Sequence, residues 1–174
     1  MNASYGLKRT ADVLTAIRLL GAMVIPVIGL IRGPSAVAGP AGWLLLLLWL
    51  TDLFDGKLAR KSGLAGEGIF GRNDGWVDLA LALGSFSLLA ITGFVDFRIY
   101  ALVVIALAVL VRVDFLTFQS LFTFAAIVLY FVIAVLQDPA YLAGLALLGG
   151  LHALFSRERF VVLWNNFWGH VFKH

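Results

Sequence analysis

Six long apolar stretches, separated by short polar breaks, limit what this chain of 174 residues can fold into. Each is about 17–21 residues long, which as an α-helix crosses a hydrocarbon layer about 30 Å thick. The breaks contain Gly33-Pro34, Gly39-Pro40 and Asp138-Pro139, dipeptides that commonly end helices. The sequence therefore predicts an all-α integral membrane protein with six transmembrane helices near 12–32, 41–61, 74–94, 98–115, 118–136 and 140–156.

The composition favours the same class of protein. Hydrophobic residues make up 61% of the chain and charged residues 13%, whereas soluble domains carry about 25% charged residues. The mean hydropathy of +0.97 implies more apolar surface than one soluble core can bury. The chain has no cysteine, which excludes disulfides and thiolate metal sites. Its three histidines lie too far apart in sequence to suggest a zinc cluster.

Basic residues predict the orientation in the membrane. Lys8 and Arg9 precede the first apolar stretch as in a signal peptide, but no small-residue cleavage site follows, so we expect a retained helix. With six spans, one side carries only Arg32 and Arg98. The other side collects most of the basic residues, namely Lys8, Arg9, Lys57, Arg60, Lys61, Arg72, Arg157, Arg159 and Lys173. This bias predicts a multi-pass protein of the cell (inner) membrane with cytoplasmic N- and C-termini.

The organisation along the chain is simple. We find no internal repeat and no second domain, so residues 1–174 are expected to form one membrane domain. The tail 156–174 mixes tryptophan and phenylalanine with basic residues. Such a composition is typical of an amphipathic segment in the membrane interface, and the alternative is a frayed end after the last span. Membrane lipids are expected partners, and nucleic acid is not.

Four aspartates stand out in this apolar chain: Asp52, Asp55, Asp74 and Asp78. Carboxylates are costly in a membrane, and a group of them suits a hard divalent cation such as Mg²⁺. At about 100° per residue, Asp52 and Asp55 share one helix face with Gly56 and Ala59. Asp74 and Asp78 are four apart and share a face near the start of the third helix. The alternative is that these are solvated loop charges paired with neighbouring lysines and arginines.

The residues around the aspartates indicate a type of chemistry. Gly56 and Ala59 add little bulk, so a ligand could approach the helix backbone closely. Arg60 could bridge phosphate oxygens. Metal ions would neutralise a diphosphate, while a carboxylate accepts the proton of an attacking hydroxyl group. The pattern therefore predicts transfer of a phosphoryl-type group at the cytoplasmic ends of helices two and three.

The motif resembles the signature of the CDP-alcohol phosphotransferase family. It runs Asp52-x2-Asp55-Gly56-x2-Ala59-Arg60, then a glycine-bearing stretch, then Asp74-x3-Asp78. The stretch Leu14-Thr15-Ala-Ile-Arg18 is similar to the first helix of the phosphatidyltransferase branch, which includes phosphatidylglycerophosphate synthases. The interval between Arg60 and Asp74 is one residue longer than usual in the family, and Gly75 stands where a proline is common.

This resemblance implies specific roles. The four aspartates would hold two Mg²⁺ or Mn²⁺ ions, and Asp78 would also be the general base. The family's CDP-lipid site would map to Gly56, Ala59, Arg60, Thr15 and Arg18, together with Gly66, for which Gly68 and Gly71 are alternatives. The enzyme would move a phosphatidyl group from CDP-diacylglycerol to a small alcohol and release CMP in phospholipid biosynthesis. A homodimer is also implied.

The acceptor alcohol is the least constrained part of this prediction. Arg112 and Arg72 are candidates for binding a phosphorylated acceptor, and the best single candidate is glycerol 3-phosphate. Alternatives are an inositol phosphate or another polyol, since Gln119-Ser120 stands where relatives making phosphatidylglycerophosphate often have Lys-Thr. Arg112 could instead form an ion pair with Asp78 or Asp114, or extend to the interface. Two other classes remain open: a divalent-cation transporter and a non-catalytic membrane partner protein.

Overall fold

The computed structural model describes residues 3–64 and 74–151, except for the side chains at positions 3, 4, 53, 55–57, 59, 60 and 74. These ranges are helical and contain no strand, which confirms the all-α class for the described part of the chain. The helices are α1 (Ala3–Arg32), α2 (Pro40–Ser62), α3 (Asp74–Ile91), α4 (Phe97–Val113), α5 (Phe115–Gln137) and α6 (Tyr141–Leu151). A short 3₁₀ helix, Gly33–Ala36, follows α1.

Each predicted apolar stretch is helical where the structure describes it, and the differences lie at the ends. The first helix begins at Ala3, about nine residues before the predicted start, because the polar residues preceding the apolar run continue the same helix. The third ends at Ile91 and is followed by Gly93 at φ 82°, a left-handed conformation that suits glycine. The fifth begins at Phe115 because the Asp114 side chain accepts a hydrogen bond from the Thr117 amide and caps the helix. The predicted amphipathic tail lies outside the described residues.

Helices α1 and α2 pack side by side in opposite directions. Gly21 of α1 lies against the Leu48 side chain, and Arg18, nearer the start of α1, contacts Asp52, farther along α2. Leucines of α2 fill this contact and are fully or almost fully buried, including Leu45 and Leu48. Burial of such side chains stabilises a helix pair by about 1.5–3 kcal/mol each in water. The contact brings the last turns of α2 beside the middle of α1.

Helices α1 and α3 run in the same direction and approach closely. Gly84 of α3 faces the Ala22 carbonyl oxygen so tightly that a Cβ at position 84 would overlap it. Farther along, Gly29 of α1 lies against Leu88. Glycine is required at such a crossing because any side chain would push the two backbones apart. The first turns of α3 are thereby held beside the middle of α1, opposite the end of α2.

Polar side chains tie the connection after α1 to later helices. The Tyr130 hydroxyl of α5 donates to the Val37 carbonyl oxygen at 2.7 Å, and the fully buried Tyr141 hydroxyl donates to Gly42 at 2.6 Å. The Gln137 side chain accepts from the Ala38 amide and donates to the Pro34 carbonyl oxygen, both at 3.1 Å. These bonds join the connection and the start of α2 to α5 and α6. They fix the end of the molecule away from the aspartates.

The outer surface of the helices is strongly apolar. Two helical segments, Tyr5–Ala36 and Phe115–Gln137, are long and apolar enough to cross a membrane by length and composition. Large apolar side chains are exposed along α1, α4 and α5, among them Leu30, Leu102, Ile105, Phe124 and Leu136. Soluble monomers rarely expose apolar patches of this extent. The described surface therefore fits a lipid environment better than water.

Candidate active site

Four helices enclose a cavity of about 190 Å³ next to the motif. It is lined by Arg18 of α1, Trp49 and Asp52 of α2, Asp78 and Leu81 of α3, and Thr123 and Ile127 of α5. Two of the four predicted aspartates thus face one space although they lie on different helices. The packing of α1 between α2 and α3 explains this, because it brings the end of α2 and the start of α3 to the same level.

Arg18 is the centre of the polar side of this cavity. Its side chain is fully buried, and its guanidinium forms ion pairs with two carboxylates. Nη1 contacts Oδ1 of Asp52, and Nη2 donates to Oδ1 of Asp78 at 3.1 Å. The aspartate side chains retain 47% and 38% exposure, so they face both the arginine and the open cavity. The two ion pairs join three helices through one side chain, because Asp52 lies on α2, Arg18 on α1 and Asp78 on α3.

A second polar group lies on α5, beside the start of α3. The Gln119 side chain is buried, and its amide is 3.4 Å from the hydroxyl of Thr123, which lines the cavity one turn later. A Cβ at Gly75 would come within 3.2 Å of the Phe115 ring and 3.4 Å of the Gln119 side-chain oxygen. The absence of a side chain at Gly75 therefore lets α5 approach the start of α3.

Sequence patterns alone did not predict the α5 residues or Trp49 at the site. Gln119 and Thr123 are polar, four residues apart and set in an apolar helix, a spacing that places both on one face. This pattern could have indicated a polar face directed into the bundle. Trp49, Leu81 and Ile127 offered no such indication, since apolar residues of a helix bundle can face the core, lipid or a cavity alike.

The other predicted site residues have varied positions. Thr15 is buried on α1, and its hydroxyl donates to the Ala11 carbonyl oxygen at 3.1 Å. For five further residues the structure describes the backbone and not the side chain. Helix α2 contains Asp55, Gly56, Ala59 and Arg60, and helix α3 begins at Asp74. Gly66 and Arg72, with the alternatives Gly68 and Gly71, lie outside the described residues altogether.

Arg112 does not reach the cavity. It is exposed in the last turn of α4 and is absent from the cavity lining. Within residues 3–64 and 74–151, none of the ion pairs involves Arg112, so neither Asp78 nor Asp114 is its partner.

Hydrogen bonds from the side chain and backbone amide of Thr117 lower the pKa of Asp114, which keeps this cap ionised at neutral pH.

The donor atoms of the cavity suit a hard cation. Carboxylate oxygens are the preferred ligands of Mg²⁺ and Mn²⁺. Asp52 and Asp78 already share a positively charged partner, the guanidinium of Arg18. Among the side chains that the structure describes, no group of three or more His, Asp or Glu could hold a metal ion, but Asp55 and Asp74 are not among them. Of the four motif aspartates, the structure thus describes the side chains of Asp52 and Asp78, and each contacts Arg18.

Comparison with known proteins identifies no relative of this chain. No protein-family model, curated protein or solved structure matches the chain.

Proposed function

We propose that this chain is an integral membrane enzyme that transfers a phosphatidyl group from CDP-diacylglycerol to a small alcohol and releases CMP. The observation that supports this most directly is the convergence of Asp52 and Asp78, from two different helices, on a single cavity. A motif of charges exposed in loops would not produce such a cavity among apolar helices. The resemblance of the Asp52–Asp78 motif to CDP-alcohol phosphotransferases then supplies the reaction.

In this proposal the aspartates bind metal and one of them also moves a proton. Asp52, Asp55, Asp74 and Asp78 would hold two Mg²⁺ or Mn²⁺ ions, which when bound neutralise the diphosphate and stabilise the CMP leaving group. The Asp78 carboxylate accepts the proton of the acceptor hydroxyl as that oxygen attacks the phosphorus of the phosphatidyl group. The bond from this phosphorus to the oxygen bridging it to CMP breaks, and the proton remains on Asp78 until water removes it.

The remaining motif residues would bind the nucleotide lipid. Gly56 and Ala59 leave room beside α2 for the nucleotide, and Arg60 pairs with the diphosphate. Thr15, Gly66 and Arg18 complete the CDP-lipid site. This arrangement suits a substrate with acyl chains in the leaflet and a head group in the cytosol.

The membrane arrangement is part of the proposal. We propose six spans in the cell (inner) membrane, with both termini and the aspartates on the cytoplasmic side, and a homodimeric assembly. The opposite directions of α1 and α2, the strongly apolar outer surface and the asymmetry of basic residues all support this arrangement. The clustering of the aspartates at one end favours an enzyme over a divalent-cation transporter, whose acidic residues would be reachable from both sides.

Glycerol 3-phosphate is the proposed acceptor, with Arg72 as the remaining candidate for binding its phosphate. One observation favours a second candidate, an uncharged polyol. The described part of the cavity offers the Thr123 hydroxyl, with the Gln119 amide behind it, as partners for hydroxyl groups. Its arginine, Arg18, already contacts two carboxylates. A polyol without phosphate would need no additional cation.

The test is an acceptor screen with the full chain in lipid nanodiscs. CDP-diacylglycerol and Mg²⁺ are supplied with glycerol 3-phosphate, an inositol phosphate, or uncharged polyols, and CMP release is measured. We expect CMP only when metal and one acceptor are both present. Asp78→Asn should slow the reaction by about 10²–10⁴-fold, the range for loss of a general base.

The matched control is Asp96→Asn, the same substitution at the cap of α4, far from the cavity. Asparagine caps helices as well as aspartate does, so CMP release should stay within about twofold of the unmodified protein. Absence of CMP with every acceptor would refute the proposal. Equal rates for Asp78→Asn and Asp96→Asn would remove Asp78 from the reaction.

A further inference from the structure

The buried position of Arg18 requires explanation. It is the largest fully buried side chain in the described part of the chain, and it carries a positive charge. A buried charge is tolerated only with compensating partners. Arg18 has them in Asp52 and Asp78, which come from helices on either side of α1. An arginine that only anchored α1 at the membrane surface would instead extend toward water.

The same carboxylates are the proposed metal ligands. The guanidinium contacts Oδ1 of both aspartates, at the wall of the cavity. Two ionised carboxylates and one guanidinium together carry a net charge of −1. A divalent cation entering the cavity would meet attractive carboxylates but also the repulsion of the arginine. Occupation by both cations is therefore less favourable than occupation by one, and solvent at the half-exposed carboxylates screens part of this repulsion.

We infer that Arg18 is the resident cation of this site and that divalent metal ions bind in competition with it. Without metal, the guanidinium holds Asp52 and Asp78 together and offsets their mutual repulsion. When metal binds, the carboxylates exchange the guanidinium for the metal ion. Without substrate, Arg18 thus acts as a positioning residue, through the two aspartates that it holds together.

The displaced guanidinium needs another anion, because an unpaired charge beside a buried cavity is unfavourable. A phosphate oxygen of a diphosphate substrate is such an anion, and arginine is well suited to bind it. Arg18 would then move from the carboxylates to the substrate as metal enters. This part of the inference rests on the proposed function, whereas the competition between Arg18 and metal does not.

The experiment measures Mn²⁺ binding to the full chain in nanodiscs without substrate, using the electron paramagnetic resonance signal of free Mn²⁺. Arg18→Gln removes the charge and keeps a polar side chain of similar reach. We expect Arg18→Gln to bind Mn²⁺ at least about tenfold more tightly than the unmodified protein, a change of about 1.4 kcal/mol. Without metal the variant should melt at a lower temperature, because the aspartates repel each other, and Mn²⁺ should restore most of this loss.

The matched control is Arg32→Gln, which removes the same charge from the exposed last turn of the same helix. Fourteen residues separate it from Arg18, about 21 Å along the helix axis, so its Mn²⁺ affinity should equal that of the unmodified protein. Arg18→Lys keeps the charge but cannot bridge two carboxylates with a planar fork. We expect Arg18→Lys to bind Mn²⁺ a few-fold more tightly than the unmodified protein. This variant also tests the inference if Arg18→Gln does not fold.

The outcomes separate this inference from the proposed function. If the Arg18 variants bind Mn²⁺ as the unmodified protein does, or more weakly, Arg18 does not compete with metal and the inference is wrong, while metal-dependent transfer stands. If none of the proteins binds Mn²⁺, both the exchange and the metal-dependent enzyme are refuted. A purely structural role for Arg18 predicts equal losses of melting temperature with and without Mn²⁺.

Discussion

At the scale of single residues, small side chains determine where the charged ones meet. Gly84 allows α3 to lie against the backbone of α1 at Ala22. Gly75 allows Gln119 of α5 to approach the start of α3. The contact at Gly84 holds α3 beside α1, where Asp78 contacts Arg18. In the proposal the aspartates carry the chemistry, and glycines set how closely the helices that bear them approach their neighbours.

Gly84→Ala tests the closest of these contacts. The added methyl group would overlap the Ala22 carbonyl oxygen, so α1 and α3 must separate. We expect a loss of about 1–3 kcal/mol, the usual cost of overpacking, measured by thermal unfolding in nanodiscs. Gly149→Ala is the control, since a Cβ at Gly149 meets nothing within 4 Å. It should be neutral or slightly stabilising, because alanine favours helix over glycine by about 1 kcal/mol. Equal effects of the two changes would contradict the close approach.

At the scale of elements, α1 organises the bundle and α5 joins its two ends. α1 contacts α2 on one side and α3 on the other, which explains why its arginine meets a carboxylate from each. α5 supplies Thr123 to the cavity and Tyr130 and Gln137 to the connection between α1 and α2. One helix thus contacts both the candidate site and the opposite end of the bundle.

Tyr130→Phe tests the contact of α5 with this connection. The change removes a hydroxyl that donates at 2.7 Å and leaves the Val37 carbonyl oxygen without that donor. An unsatisfied buried group costs about 1–3 kcal/mol, so the melting temperature should fall and the 33–39 connection should exchange amide hydrogens faster. Tyr5→Phe, at an exposed tyrosine, should change neither. Unaltered exchange in Tyr130→Phe would mean that the connection is held by other contacts.

At the scale of the whole molecule, the apolar exterior and the distribution of basic residues together define the proposed orientation. Exposed leucine, isoleucine and phenylalanine on α1, α4 and α5 would be unfavourable in water. In the proposed orientation, basic residues determine which end remains in the cytoplasm. Orientation is a property of the whole chain because each additional span reverses the side on which the next loop lies.

The absence of native cysteine makes this orientation directly measurable. Ser35 follows α1 and Lys61 lies near the end of α2, and both are exposed. We expect a membrane-impermeant thiol reagent to label Ser35→Cys from outside intact cells, and Lys61→Cys only after the membrane is opened. Unmodified protein, without a thiol, is the control. Labelling of both positions from the same side would contradict a transmembrane α2.

The sequence by itself determined which segments are helical and which acidic residues are candidates for the site. Hydrophobic runs of sufficient length predicted all six helices, since helical hydrogen bonds join residues close in sequence. The ends of the helices depended on single capping residues such as Asp114 and Gly93. Helical periodicity predicted that Asp52 shares a face with Asp55 and Asp74 with Asp78, and two adjacent helices were expected to bring these faces together. Only the tertiary structure assigned Arg18 to both carboxylates and brought Thr123 into the cavity. Those contacts depend on how closely α1, α3 and α5 approach, and that distance is determined by side chains far apart in sequence.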